Sequence, residues 1–503
     1  MKPSLQVELR PLGNTFQVEP GTSLQDVLFD QGVEFPCGGR GRCKGCRVKV
    51  LSGHVPVTAE DQRALDPAEL ASGWRLACRI NAQTDLRLEL AQWEAAILTD
   101  HTAFPFTPQP GLGIAIDLGT TTLVGQLMEL TTGQVLAVRT ALNAQARHGA
   151  DIMSRVDFGA HGEGRETLTR LIRGQLGRLV AGLLEATPGR AADLRSVVVV
   201  GNTVMHHLFC GISVEPLAHT PFEPVNDGPQ LFAADALGWE LPGKPTVRFL
   251  PCLGGFVGSD ILAGILATRL HESDALVALM DLGTNGEIVL GNRDRLLCAS
   301  TAAGPAFEGA RISMGMRAAT GAISEVALRQ GRLLSHVIGG AEPRGICGSG
   351  LVDAVAGALE MGLIQPGGRL ASGPSLEVAP PVCLTQSDIR ELQLAKGAIA
   401  AGLRILAHRW GATLEDISQL HLAGAFGNYI NRLSARRIGL LEISPEKVEP
   451  AGNTALRGAK LALFGLHDHD GGYAALRRKV SHVPLSEDAR FQEIYVEKMR
   501  FPS

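Results

Sequence analysis

The feature that most constrains this chain is a short pattern that occurs twice. Residues 114–125 read IAIDLGTTTLVG, and residues 277–291 read VALMDLGTNGEIVLG. Each is an apolar strand, then Asp-Leu-Gly-Thr, then a second apolar strand. Asp281 follows Asp117 by 164 positions, so the repeat predicts two lobes built on one plan. Each glycine lets the backbone come close to a phosphate, and each threonine offers a hydroxyl and N–H donors to phosphate oxygens. An Asp at a strand end can hold Mg²⁺ directly or through water. One such loop could be an ordinary hairpin turn; two with matching flanking strands point to a nucleotide cleft. No G-x4-G-K-[ST] is present and no G-x-G-x-x-G follows a strand, so neither a P-loop nor a dinucleotide fingerprint competes.

The 503 residues are enough for two to four domains, and 45% hydrophobic with 19% charged content is ordinary globular composition. A net charge of −4 suggests neither a nucleic-acid coat nor a membrane surface. The start, MKPSLQVELRPLG, has no apolar core for a secretory signal, and no run of 18 apolar residues occurs. Nine cysteines, an odd number in a long chain, make a disulfide framework the weaker reading. The stronger one is a reducing cytoplasm, with cysteines kept for metal or redox chemistry.

Four of those cysteines cluster. Cys37, Cys43 and Cys46 lie in CGGRGRCKGC, and Cys78 follows after 31 residues, giving C-x5-C-x2-C and a distant fourth. Around them, LQVEL (5–9) and TFQVE (15–19) alternate as a hairpin about Gly13-Asn14, and Ser23 opens a short helix that stops at Gly32. RVKVL (47–51) and LRLEL (86–90) alternate again. That order resembles an α+β β-grasp ferredoxin, and the spacing resembles the adrenodoxin-like branch of the [2Fe–2S] ferredoxins. Four thiolates could also hold structural zinc, although only Cys43 and Cys46 form the usual knuckle. Arg40, Arg42, Lys44 and Arg47 read either as a solvated loop or as a docking patch.

Three prolines and two glycines in HTAFPFTPQPGLG (101–113) read as a linker. Beyond it, the double DLGT pattern resembles the actin/Hsp70/sugar-kinase superfamily (ASKHA), an α/β, RNase H-like fold of two lobes. FVGSDILAGILATRL (256–270) and GNTALRGAKLALFG (452–465) resemble its connecting helices, the second with Ala455, Gly458 and Ala459 for close packing. HLAGAFGNYIN (421–431) resembles its adenosine loop, and GICGSGLVDAV (345–355) resembles a helix start in ATP-dependent redox activators. The expected organisation is a ferredoxin domain at 1–94, a linker at 95–112, a first lobe at 113–275 and a second lobe at 276–450. Residues 451–503 return to the first lobe and form the tail.

A ferredoxin domain fused ahead of an ASKHA domain resembles the reductive activators of corrinoid proteins. NAQARHGADIMSRV (143–156), VVVVGNTVMHHLFCGI (197–212), TAAGPAFEGARISMGMRAATGAI (301–323) and the ending FQEIYVEKMRFPS (491–503) extend that resemblance over nearly the whole chain. It implies an ATP-hydrolysing protein that passes one electron to the Co(II) corrinoid of a partner methyltransferase protein, after reduction by an upstream donor, and works as a homodimer. It implies a [2Fe–2S] cluster on Cys37, Cys43, Cys46 and Cys78, with Mg²⁺ and water organised by Asp117 and Asp281. Gly119, Thr120, Thr121, Gly283, Thr284 and Asn285 would cradle phosphates. Gly348, Ser349 and Gly350 would present N–H groups to an anion, and Gly424, Ala425 and Gly427 would line the adenosine. Asp260 would orient the attacking water, or serve as a buried or capping acid; Glu287 would assist Mg²⁺ or face solvent. Met205-His206-His207 and the isolated Cys210, Cys252, Cys298, Cys347 and Cys383 read as packing residues, and HDHDGG (467–472) as a polar loop. Two other functions stay open: an activator of a different low-potential enzyme, such as a CoA-ester dehydratase, and a redox-sensing binding module without ATPase activity.

Overall fold

The computed structural model describes the chain except residues 1–3, 11–12, 32, 34, 36–38, 40, 42–43, 45, 91–99, 150, 284, 310, 466–472 and 503. The expectations for Cys37, Cys43, Thr284 and the HDHDGG tract therefore lie outside the described residues. These fall into two compact units, one of residues 1–96 and 305–392, the other of 97–304 and 393–503. Among the described residues no helix is long and apolar enough to cross a membrane.

The first unit opens with a five-stranded sheet. Its order is Thr15–Val18, Leu5–Arg10, Leu86–Leu90, Arg47–Ser52, Trp74–Leu76. The Leu5–Arg10 and Leu86–Leu90 strands pair in parallel; the other neighbours are antiparallel. Helix Leu24–Asp30 starts where the Ser23 hydroxyl accepts from the Gln25 N–H, and it buries Leu24 and Leu28. Alternation puts Val7, Leu9, Val48, Leu86, Leu88 and Leu90 inside. This is the mixed sheet with one packed helix that a β-grasp domain requires. In residues 305–392, helix Gly348–Glu360 packs on a small sheet ordered Arg332–Val337, Ala322–Arg329, Gly345–Ile346.

The second unit makes the repeat visible. One six-stranded sheet contains the antiparallel meander Leu112–Leu118, Thr122–Glu129, Val135–Leu142, and on its other side Leu194–Gly201 and Thr246–Phe249 run parallel. The other contains the meander Val277–Leu282, Gly286–Gly291, Leu296–Thr301, flanked by parallel Gln419–Ala423 and Val448–Gly452. Both sheets share this five-strand order, and both DLGT segments end the central strand. The central strands are apolar on both faces because helices cover them. Helix Ser259–Thr268 crosses helix Thr454–Gly465 so closely that a Cβ at Gly458 would sit on the backbone of Ala263. The small residues Ala455, Gly458 and Ala459 permit that approach.

The stretch read as a linker is fastened from Asp100 onward. Buried Lys460 forms an ion pair with Asp100 and donates to its carbonyl at 3.0 Å. Phe104 and Phe106 pack against Phe464, at ring separations of 5.5 and 4.6 Å. Gln109 donates to the Phe464 carbonyl. The prolines read as an extended tether; the two phenylalanines flanking Pro105 pack it against Phe464.

Candidate nucleotide and cluster sites

The two central strands bring carboxylates together. Asp117 pairs in register with Val124 and Val200, and Asp281 with Glu287 and Ala423. Asp260 enters from the first turn of helix Ser259–Thr268. Burial pushes Asp117 up to about 6, offset in part by the Asn453 side-chain amide, which donates to its carboxylate at 3.0 Å. Asp281 rises to about 7 through burial and then the charge of Asp117. Asp260 rises to about 8 through burial, then the charges of Asp281 and Asp117. Glu287 is raised well above its usual range by burial and by Asp260 and Asp281, against a 3.3 Å hydrogen bond from Ser300. Asp117, Asp260 and Asp281 are each half-buried, so solvent reaches them. Mutual repulsion in a confined site favours a cation or protons. Among the described residues no three acidic, His or Cys side chains come close enough to hold a metal ion by themselves. A divalent cation here would take its remaining ligands from water and phosphate oxygens, which is how Mg²⁺ is usually held.

The loops around these carboxylates are braced by asparagines that the sequence analysis did not single out. The Gly119 N–H donates to the Thr122 carbonyl at 3.0 Å, and the Asn143 amide donates to the Gly119 carbonyl at 2.9 Å. Asn143 N–H bonds the Thr121 carbonyl. The Thr120 hydroxyl is buried and accepts from Asn202 at 2.9 Å. Asn202 also caps helix Thr203–Cys210, as Asn453 caps helix Thr454–Gly465. An asparagine directly after VVVVG and before a helical run is a capping signal, and it could have marked Asn202. In the second loop the Gly283 N–H donates to the Asn285 carbonyl at 3.0 Å. Gly424, at φ +82°, opens the helix Gly424–Tyr429 against Asp281; Ala425 is exposed and Gly427 is buried on Leu422.

Gly348, Ser349 and Gly350 belong to the first unit, whereas both DLGT loops belong to the second. All three are buried. The Ser349 hydroxyl donates to the Ser324 carbonyl at 2.8 Å, and the Ile323 backbone occupies the space a Gly350 side chain would need. Their visible contacts are therefore packing ones.

Cys46 and Cys78 are buried 1% and 7% exposed, and the Ala77 N–H donates to the Cys46 carbonyl at 3.0 Å. Cys46 thus ends the glycine-rich loop beside the short turn Ala77–Arg79 that carries Cys78. Gly39 and Gly41 adopt φ +75° and +65°. A Cβ at Gly39 would strike Gln25, and one at Gly41 would lie 2.8–3.0 Å from Glu60 and Arg79. Arg79 also donates to the Gly39 carbonyl. Two buried cysteines on backbone segments joined by a hydrogen bond, beside glycines that leave no room for a side chain, fit an iron–sulfur cluster. Three of the remaining cysteines differ: burial pushes Cys298 up to about 12 and raises Cys210 and Cys252 further. His206 is held near 3 by burial and His207, and both rings bond backbone carbonyls. Those are packing residues.

The comparison with known proteins agrees with this geometry. A corrinoid activation enzyme, RamQ, from Eubacterium limosum is 36% identical over 431 residues, covering 78% of this chain and 71% of that relative. The chain belongs to the family of corrinoid-protein activators. Within that family, a [Co(II) methylated amine-specific corrinoid protein] reductase from Methanosarcina barkeri is 28% identical over 76% of each chain. The solved structure of a reductive activator for a corrinoid iron–sulfur protein aligns over 99% of this chain and 98% of its own, at 27% identity and a TM-score of 0.70. Three family descriptions tile the activator: "2Fe-2S iron-sulfur cluster binding domain" matches 7–83, "RACo middle region" 112–273, and "C-terminal domain of RACo the ASKHA domain" 275–503. The fold is therefore a ferredoxin domain followed by an ASKHA domain.

Proposed function

We propose that this chain is an ATP-dependent reductive activator that returns the Co(II) corrinoid of a partner methyltransferase protein to Co(I). One observation carries the reading. A chain 36% identical to a corrinoid activation enzyme keeps both a cysteine-ended β-grasp loop and a four-carboxylate cleft between two DLGT strands. When bound, a [2Fe–2S] cluster supplies a low-potential one-electron centre, near about −400 mV for plant-type clusters. Cys37, Cys43, Cys46 and Cys78 would hold it. Balance requires an upstream donor to deliver the electron that cobalt gains.

Asp117 and Asp281 would hold Mg²⁺ through water, and their raised pKa values fit carboxylates waiting for a cation. Asp260 would orient the attacking water. The Gly119–Thr121 and Gly283–Asn285 loops would cradle phosphates, and Gly424, Ala425 and Gly427 would carry the adenosine. Asn143, Asn202 and Asn453 would position these groups. ATP need not touch the electron. A gap of roughly 100 mV is about 2.3 kcal/mol for one electron, within reach of a conformational equilibrium that ATP biases. Reducing-compartment cysteine usage supports a cytoplasmic site of action, and the family resemblance supports a homodimer.

The test is direct. The anaerobic protein is reduced and mixed with a Co(II) corrinoid protein, with and without Mg·ATP, while Co(I) absorbance is followed. Co(I) formed only with ATP, and lost in Asp281→Ala and Cys43→Ser, supports the reading. A loaded cluster and bound nucleotide with no cobalt reduction would move the function to another acceptor enzyme.

A further inference from the structure

Arg47 is the residue after Cys46, and its side chain does not reach solvent freely. Its guanidinium donates to the Glu69 carboxylate at 3.0 Å and to the backbone carbonyl of Arg344 at 3.0 Å, and it lies 5.6 Å from the Trp74 ring centre. Arg344 answers in kind. It donates to the Leu90 carbonyl at 3.2 Å and to the Glu89 carboxylate at 2.6 Å. Lys44 completes the network through Glu69 and Asp66, at 3.0 and 3.2 Å. Two of the basic residues that read as either a solvated loop or a docking patch are thus engaged within the chain itself.

The Arg344 end is built for this contact. The Arg344 N–H is fixed on the Gly321 carbonyl at 2.8 Å. Gly321 adopts φ +90°, and a Cβ there would meet the Arg344 stem at 3.0 Å, so glycine clears its path. Residues 305–392, which carry Arg344, are inserted between strand Leu296–Thr301 and residue 393 of the other unit. That strand also carries Ser300, the hydrogen-bond donor to Glu287 in the acidic cleft.

We propose that Arg344 latches the cluster-bearing domain onto the inserted segment, and that the released state is the one the corrinoid partner binds. A docked domain is withheld from the partner in proportion to its population, which raises the apparent KM by the same factor. The second clause rests on the activator reading above; the first does not. Charge-assisted contacts of this kind are the strong class, so losing them shifts such an equilibrium by about tenfold or more.

The test uses the full-length, cluster-loaded protein. Hydrogen exchange is followed in peptides covering 86–90 and 341–347, in Arg344→Glu and in the charge swap Arg344→Glu with Glu89→Arg. Expected is about tenfold or more faster exchange of both peptides in the single variant, moved back towards wild type in the swap. Unchanged exchange in Arg344→Glu would overturn the latch. Faster exchange that the swap does not restore would assign it to local damage and also overturn it. In cobalt reduction, Arg344→Glu should lower KM for the corrinoid protein with kcat and ATP hydrolysis unchanged. A KM that stays the same or rises would overturn the access clause. A wild type that reduces no cobalt sinks the activator reading and that clause together, while the exchange data still decide the latch.

Discussion

The α-carbon of Gly424 lies against the carboxylate of Asp281. A Cβ built there would stand 2.7 Å from Asp281 Oδ1 and 2.7 Å from the Leu282 carbonyl oxygen. The proposed adenosine loop and the Asp281 strand end are therefore in contact, and not only alike in motif. Gly424 also needs φ +82°, which costs an L-residue about 1 kcal/mol or more. Gly424→Ala should displace the Asp281 side chain and weaken ATP binding by about tenfold, the equivalent of about 1.4 kcal/mol. Titration calorimetry with a non-hydrolysable ATP analogue checks this. Unchanged affinity would remove Gly424 from the nucleotide site.

The carboxylate cleft makes a prediction with a definite sign. Asp260 is raised from 3.8 to about 8, so between those values the folded state holds a proton that the unfolded state has lost. Stability is fullest below about pH 4 and falls as pH rises towards 8. Asp260→Asn removes that penalty. It should stabilise the metal-free protein by about 1–3 kcal/mol at pH 8 and by almost nothing at pH 4, while abolishing ATP hydrolysis. Urea unfolding at the two pH values checks it. Equal effects at both would mean that the gain is packing and not charge.

Much of this architecture was legible because the signals were local. The hairpin, the Ser23 helix start and the strands at 47–51 and 86–90 appear within a residue or two of where alternation put them. The duplicated DLGT loops announced two sheets of one order, since a repeat carries its topology with it. What was hidden was long-range. Asn453 reaches Asp117 across 336 positions and Lys460 reaches Asp100 across 360, and no periodicity reports such pairs. Asp260 and Glu287 could be read as capping or solvent-facing because their shifts come first from burial and then from carboxylates elsewhere in the chain, and local sequence reports neither. Arg47 was ambiguous for the same reason: its partner, Arg344, lies 297 residues away.

Lys460 and Asp100 are nearly inaccessible, at 1% and 6% exposed. An isolated charge there is costly, so removing one partner should hurt more than removing both. Lys460→Met alone should destabilise by about 3–5 kcal/mol. It should also open the 100–111 segment to proteases, because Phe104 and Phe106 lose the anchor beside them. Lys460→Met combined with Asp100→Leu should recover much of the loss. Denaturant unfolding of the wild type, the Lys460→Met and Asp100→Leu single variants and the double variant, read as a double-mutant cycle, checks this. Additive losses would mean that the two charges do not act as a pair.

The cysteine loop and the carboxylate cleft belong to different compact units, which allows their contributions to be separated. Cys46 and Cys78 are buried, and serine is close to cysteine in size, so a serine at either position removes a thiolate without opening a large cavity. Cys46→Ser and Cys78→Ser should each lose the [2Fe–2S] absorbance, because a hydroxyl is a poor substitute for thiolate on iron. Both should still bind and hydrolyse ATP at close to the wild-type rate, since Asp117, Asp260 and Asp281 are untouched. Cobalt reduction should vanish in both. Visible absorbance, phosphate release and Co(I) formation on the same preparations make the check. If ATP hydrolysis fell with the cluster, the two sites would be energetically coupled within the resting protein, and the cluster would act as a structural element of the ATPase as well as its redox centre.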